Sequence, residues 1–211
     1  MLLLSCIVKN LEVLYEDDSV IIVNKPAGLA VQGGKGVKTS LDNILAEIRS
    51  PPPLLVHRLD KDTSGVLIAA KHKEAAAELS RLFGAFGIVK QYIAVCAGSP
   101  DKKEGTITHD ITINGKLKKA ETMYKVIKSG EFSVLEIELA TGRMHQIRRH
   151  LAMIGNPILG DDKYGDFTLN KTLRKSAGLK RLLLHASRLV IKDRFQLDIT
   201  APLPQYFGDF T

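Results

Sequence analysis

The residues whose types and spacing could do chemistry are concentrated in one run, His57-Arg58-Leu59-Asp60-Lys61-Asp62-Thr63-Ser64-Gly65. It is flanked by two apolar segments, Leu54-Leu55-Val56 before and Val66-Leu67-Ile68-Ala69-Ala70 after. A carboxylate held among cations can serve as a nucleophile or a base. The same residues can also form a structural turn stitched by local ion pairs. Thr63-Ser64-Gly65 is turn chemistry under either reading.

Other constellations fail on their spacing. Gly28 with Gly34-Lys35 invites a phosphate-binding loop, but five residues separate the glycines where four are needed, and Gly36 stands where Ser or Thr should follow. His57, Asp60, His145, His150, Asp161 and Asp162 could be imagined as metal ligands, yet no HExxH or Cys/His cluster occurs, so no metal is expected. Cys6 and Cys96 lie in apolar runs without zinc spacing and read as two buried thiols of a reducing cytosol.

The elements that position the central run follow from patterning. Glu12 to Glu16 and Val20 to Val23 read as strands about a turn at Asp17-Asp18-Ser19. Thr39 to Arg49 suits a helix capped by Thr39 or Ser40 and ended by Pro51-Pro52-Pro53. Lys73 to Phe86 suits a second, with Ala76, Leu79, Phe83 and Phe86 on one stripe. Further strands are expected at Gln91 to Ala97, Lys103 to Ile113, Thr122 to Ile127 and Phe132 to Leu139. Asn114-Gly115 reads as a turn, followed by Lys116, Lys118 and Lys119, either a phosphate-facing tip or a solvated edge. Arg143 to Ile154 is expected to be helical, with Met144, Ile147, Leu151 and Ile154 as its apolar stripe. On that phase Arg148 lies at the stripe's edge and Arg149 points away, toward phosphate or nothing. A last strand pair is expected at Leu182 to Ile191 and Phe195 to Thr200, giving an α+β chain with a mixed, largely antiparallel sheet.

HRLDKDTSG closely resembles the signature of the RluA-type pseudouridine synthases, enzymes that isomerise uridine in RNA. VNKPAGLAVQGG, KQYIAV, TGRMHQIRRHL, GNPILGDDKYG and LLLHA resemble further segments of that family in its order, from about Leu11 to Pro204. The resemblance implies a pseudouridine synthase fold with helices flanking the sheet, a central active-site cleft braced by the VNKPAG segment, and no cofactor. It implies Asp60 as the essential carboxylate, acting as nucleophile or base, with Arg148 as its cationic partner and Tyr92 stacked on the uracil near C5. Arg58 is expected to fill the place of the extruded base, with Arg143 and His145 as further RNA contacts. His57 and Asp62 are expected to support the loop.

Length and charge agree with this. The 211 residues can form one catalytic domain over 1–211, two lobes being possible, and the chain is expected to have no N-terminal S4 domain. A net charge of +7 suits a polyanionic partner. Large-subunit ribosomal RNA is the first expectation and transfer RNA the alternative. A non-catalytic RNA-binding protein is the rival class, but it would have no need of Asp60, Tyr92 and Arg148 together. MLLLSCIV is too short to span a membrane and lacks a signal peptide's basic start, so a cytoplasmic monomer without a membrane partner is expected.

Overall fold

The structure, a computed structural model, describes residues 11–34, 36–85 and 87–211. Cys6 with the MLLLSCIV segment, Lys35 and Phe86 lie outside the described residues. The chain forms two compact units, one of the described residues up to Ile88 with Ala186–Pro202, the other of Val89–His185 with Leu203–Thr211.

In the first unit β1 (Glu12–Glu16) and β2 (Val20–Lys25) form the expected antiparallel pair. Their turn closes because the Asp17 carboxylate accepts from the amides of Ser19 and Val20 at 2.7 and 2.8 Å. β2 pairs with β4 (Ser64–Ala70), every residue of which is buried, and short β3 (Leu54–Leu55) pairs with the far end of β4. On the other side of β4 lies β11 (Leu184–Ile191), in turn paired with β12 (Leu197–Thr200). Gly65 permits this close approach: a Cβ there would stand 2.1 Å from the Ala186 carbonyl oxygen, and its φ is +113°.

Two helices belong to this unit. α1 (Leu41–Ile48) starts after Ser40 as expected, but the Ser40 hydroxyl bonds the Asp42 and Asn43 side chains, and the Leu41 and Asp42 amides donate instead to the carbonyls of Ala30 and Val31 at 2.8 and 3.1 Å. α2 (Lys73–Gly84) is capped by His72, whose ring accepts from the Ala75 amide. Its buried residues are Ala75, Leu79 and Leu82, so the stripe is rotated from the expected one, with Ala76 and Phe83 at its margin.

The second unit is built on β5 (Ile88–Ala97), β10 (Phe132–Leu139), β9 (Thr122–Lys128) and β6 (Glu104–Ile107), adjacent in that order. The pairs β5–β10, β10–β9 and β9–β6 are antiparallel. The single strand expected over Lys103 to Ile113 is two: after β6 the chain leaves the sheet and forms a separate hairpin of β7 (Ile111–Ile113) and β8 (Lys116–Lys118). Its turn is the expected Asn114-Gly115, both at positive φ, 49° and 74°. The helix expected from Arg143 begins three residues later, as α3 (Gln146–Met153). A fourth helix, α4 (Phe167–Ser176), was not expected; Asp166 caps it by accepting from the Leu169 amide. No helix among the described residues is long and apolar enough to cross a membrane.

Candidate active site

The HRLD segment alternates: His57 half-buried, Arg58 exposed, Leu59 buried, Asp60 half-buried. Asp60 opens a tight turn in which its carbonyl accepts from the Thr63 amide at 3.2 Å. The His57 ring stacks on Phe83 with centroids 4.5 Å apart, and its Nε2 accepts from the Ile68 amide at 3.1 Å. This is the supporting role expected for it, and it places the ring proton on Nδ1.

The same turn is bolted from below by a residue that the sequence reading passed over. Lys25 ends β2 with no exposed surface, and its Nζ donates to the carbonyls of Pro26 (2.9 Å), Leu29 (2.8 Å) and Lys61 (3.0 Å). The Gly28 amide donates to the same Lys61 carbonyl at 2.9 Å. The NKPAG segment therefore holds the loop one residue beyond Asp60. Burial pushes the Lys25 ammonium down to about 7, against the pull of the Asp62 and Asp60 carboxylates.

In the second unit Tyr92 is 8% exposed at the centre of β5, opposite Ile137 of β10. Arg148 is buried outright rather than at a stripe's edge. Its Nε and Nη2 fork onto the Asp161 carboxylate at 2.7 and 2.8 Å, and Nη2 also donates to Asp162 at 3.0 Å. The Tyr164 ring lies 5.4 Å from its guanidinium carbon. Burial pushes the Asp161 carboxyl up, but Arg148 and the Tyr164 and Lys163 amides outweigh it and hold it below the ordinary value. Asp161 thus has a partner of its own, where the sequence suggested only a candidate metal ligand.

The rest of α3 corrects the expected helix phase. Met144 precedes the helix and is 51% exposed, while Gln146, Ile147, His150 and Leu151 are buried. Arg149 does not point away: half-buried, it donates to the Thr112 carbonyl of β7 at 3.1 Å. Arg143 is exposed, but its Nε donates to the Lys119 carbonyl at 3.2 Å. His150 Nε2 meets the His109 carbonyl at 2.8 Å, so that nitrogen carries the proton, and Nδ1 faces the Thr122 hydroxyl at 3.0 Å. Gln146 donates to the Glu121 carbonyl at 2.8 Å. Four side chains of one segment therefore grip the backbone of the β7–β8 hairpin, one within β7 and three on its flanks. The Lys116, Lys118 and Lys119 side chains remain exposed. His145 occupies the left-handed region (φ 54°, ψ 28°), and its Nδ1 lies 3.1 Å from the Tyr164 hydroxyl.

Comparison with known proteins shows the family of the chain. Residues 19–153 match the RNA pseudouridylate synthase family. The ribosomal large subunit pseudouridine synthase C of Rickettsia felis is 39% identical over 93% of this chain and 68% of its own length. The protein of the same name from Buchnera aphidicola is 37% identical over 96% and 71%. Human RNA pseudouridylate synthase domain containing 4 superposes with a TM-score of 0.83 at 28% identity, covering 97% of this chain and 94% of that one. The chain belongs to the RNA pseudouridylate synthase family. It is an intramolecular isomerase acting on RNA, with the α+β fold of that family.

The roles of two residues of the synthase were not foreseen from sequence, and each had a signal. Lys25 is a lone cation closing the apolar run Val20-Ile21-Ile22-Val23 before a proline. Asp161 heads the turn Asp161-Asp162-Lys163-Tyr164 beside the unforeseen helix α4. The lysine gives a test. Its folded pKa lies below the unfolded value of 10.5, so between about pH 7 and that value the unfolded chain binds more protons and stability rises with pH. From about pH 7 to 9.5 the synthase should gain about 3 kcal/mol more than Lys25→Met does, measured by urea unfolding. Equal gains in both proteins would show that Lys25 titrates like an ordinary lysine.

Proposed function

We propose that the synthase modifies large-subunit ribosomal RNA, with Asp60, Tyr92 and Arg148 as its catalytic residues. The observation that carries the substrate is the name shared by relatives 37 to 39% identical over more than nine-tenths of the chain. The isomerisation breaks the N1–C1′ bond of uridine, turns the uracil, joins C5 to C1′ and releases the C5 proton. The proton lost from C5 is balanced by one gained at N1 and every heavy atom of the base is retained, so the chemistry falls to a carboxylate near the ribose, here Asp60, and a group near C5, here Tyr92. Arg148 is the cation of the set. Support for Asp60 comes from the turn that holds it: its backbone is fixed by Thr63, and the next peptide by Lys25 and Gly28.

RNA binding is assigned to Arg58, Arg143 and His145. Arg58 is exposed on the Asp60 loop, where it can enter the space left by an extruded base. Arg143 and His145 carry second duties, to Lys119 and Tyr164. The exposed lysines of the β7–β8 hairpin supply further positive charge for phosphates. The protein is taken to work as a monomer in the cytoplasm, a compartment that suits the buried, free Cys96.

The test is to map pseudouridines in cells with and without the gene. One or more sites should vanish from large-subunit ribosomal RNA and return with the wild-type gene. Sites lost only from transfer RNA would overturn the substrate and leave the reaction intact.

A further inference from the structure

The guanidinium of Arg148 is planar, and its five N–H directions are fixed relative to one another. The bidentate fork onto Asp161 engages one edge of that plane through Nε and Nη2. Asp162 takes a further Nη2 contact, and the Tyr164 ring lies against the guanidinium. With two of the three nitrogens tied to carboxylates, the direction of Nη1 is no longer set by the arginine's own torsions.

Asp161 is itself held from several sides. Its Oδ1 also accepts from the amides of Lys163 and Tyr164, at 2.8 and 2.9 Å. Its backbone carbonyl accepts from Asn170 Nδ2 at 3.0 Å, while Asn170 Oδ1 accepts from the Gly160 amide at 2.8 Å. The buried Asn170 thus ties the start of the turn, at Gly160 and Asp161, to α4. Gly165 closes the turn where a Cβ would stand 2.3 Å from the Asp161 carbonyl oxygen. An arginine needing only charge neutralisation would not need a carboxylate fixed through its side chain and its backbone.

We infer that Asp161, assisted by Asp162, is a positioning residue for catalysis, fixing the plane of the Arg148 guanidinium so that its remaining edge meets the reacting centre in one orientation. This rests on the reading of Arg148 as catalytic. A carboxylate that only stabilises the fold would lower the melting temperature and leave turnover per folded molecule alone. A positioning carboxylate acts on the chemical step and leaves RNA affinity intact.

The experiment measures single-turnover pseudouridine formation and RNA affinity well below the melting temperature, for Asp161→Asn, Arg148→Lys and the double variant. Leu79→Ala, from the core of the first unit, is a control for lost stability. Asp161→Asn should lose about 100-fold in rate with affinity within about threefold, while Leu79→Ala keeps its rate. In the Arg148→Lys background, where no fork can form, Asp161→Asn should cost less than about threefold. A rate for Asp161→Asn within about threefold of wild type, or a full loss that persists beside Lys at 148, would overturn the inference. A wild-type rate for Arg148→Lys would instead remove the reading beneath it. Should Asp161→Asn not fold, Asp162→Asn takes its place, since that carboxylate is 73% exposed. Its rate should fall about threefold, and only beside arginine; an unchanged rate would again overturn the proposal.

Discussion

Asp60→Asn should abolish pseudouridine formation while leaving RNA affinity within about tenfold, or roughly 1.4 kcal/mol. The substitution keeps the side chain's size and removes its charge. The turn should survive it, because Asp60 contributes a backbone carbonyl to the Thr63 amide and the next carbonyl is held by Lys25. Unfolding free energy should therefore move by less than about 1 kcal/mol, as for a half-buried residue whose backbone contacts persist. Proton release from C5-tritiated RNA under single-turnover conditions, beside a binding curve, separates the two effects. A variant still working at a tenth of the normal rate would remove Asp60 from the reaction. Loss of affinity and rate together would mark it as a binding residue.

Arg148→Met carries the second large effect, and it is double. The Asp161 side chain has no exposed surface, so the substitution strips a buried carboxylate of its charged partner, at about 3–5 kcal/mol. Turnover per folded molecule should also fall, on the order of 100-fold, as for loss of a preorganised electrostatic group. The stability loss has a pH signature. With Arg148 present the Asp161 carboxyl is held below its unfolded value, so its contribution exists above that value and fades as pH falls through the folded one. Without Arg148 burial dominates and raises the carboxyl, so the variant loses stability as pH rises past about 4. The gap between the two proteins should be widest near neutrality and close on acidification. A gap that is flat with pH would mean that Asp161 finds another cation. Arg149→Met is the comparison: it loses one hydrogen bond to Thr112, worth about 0.5–1.5 kcal/mol, and should keep its turnover.

The strands were legible because their burial alternates or runs unbroken: β2, β4 and β10 follow directly from their apolar patterns. The Asn114-Gly115 turn was legible from backbone chemistry alone. α4 was not, because Phe167 is 62% exposed and the helix buries Asn170 and Leu173, which leaves little apolar stripe to detect. The phase of α3 was misread for a related reason. Its buried face is largely polar, Gln146, Arg148 and His150 beside Ile147 and Leu151, so hydrophobic spacing pointed to the wrong register. Side chains that bury polar atoms against carbonyls and carboxylates 13 to 41 residues away leave no periodic trace in a single sequence. Lys25 and Asp161 escaped on the same ground: each is explained by partners that only folding supplies.

The grip of the α3 segment on the β7–β8 hairpin has a consequence for how such a protein can change its target. Arg143, Gln146, Arg149 and His150 contact Lys119, Glu121, Thr112 and His109 through main-chain oxygens alone. A joint made to carbonyls is blind to the side chains of the part it carries. The lysines of the hairpin can therefore be exchanged, reversed in charge or traded for aromatics with the mounting unchanged. What the mount does demand is chain length, since the four oxygens must recur at their spacing. A hairpin grafted from another synthase should seat if it preserves the count from His109 to Glu121, the buried Ile111 and Ala120, and a turn that tolerates positive φ at 114 and 115.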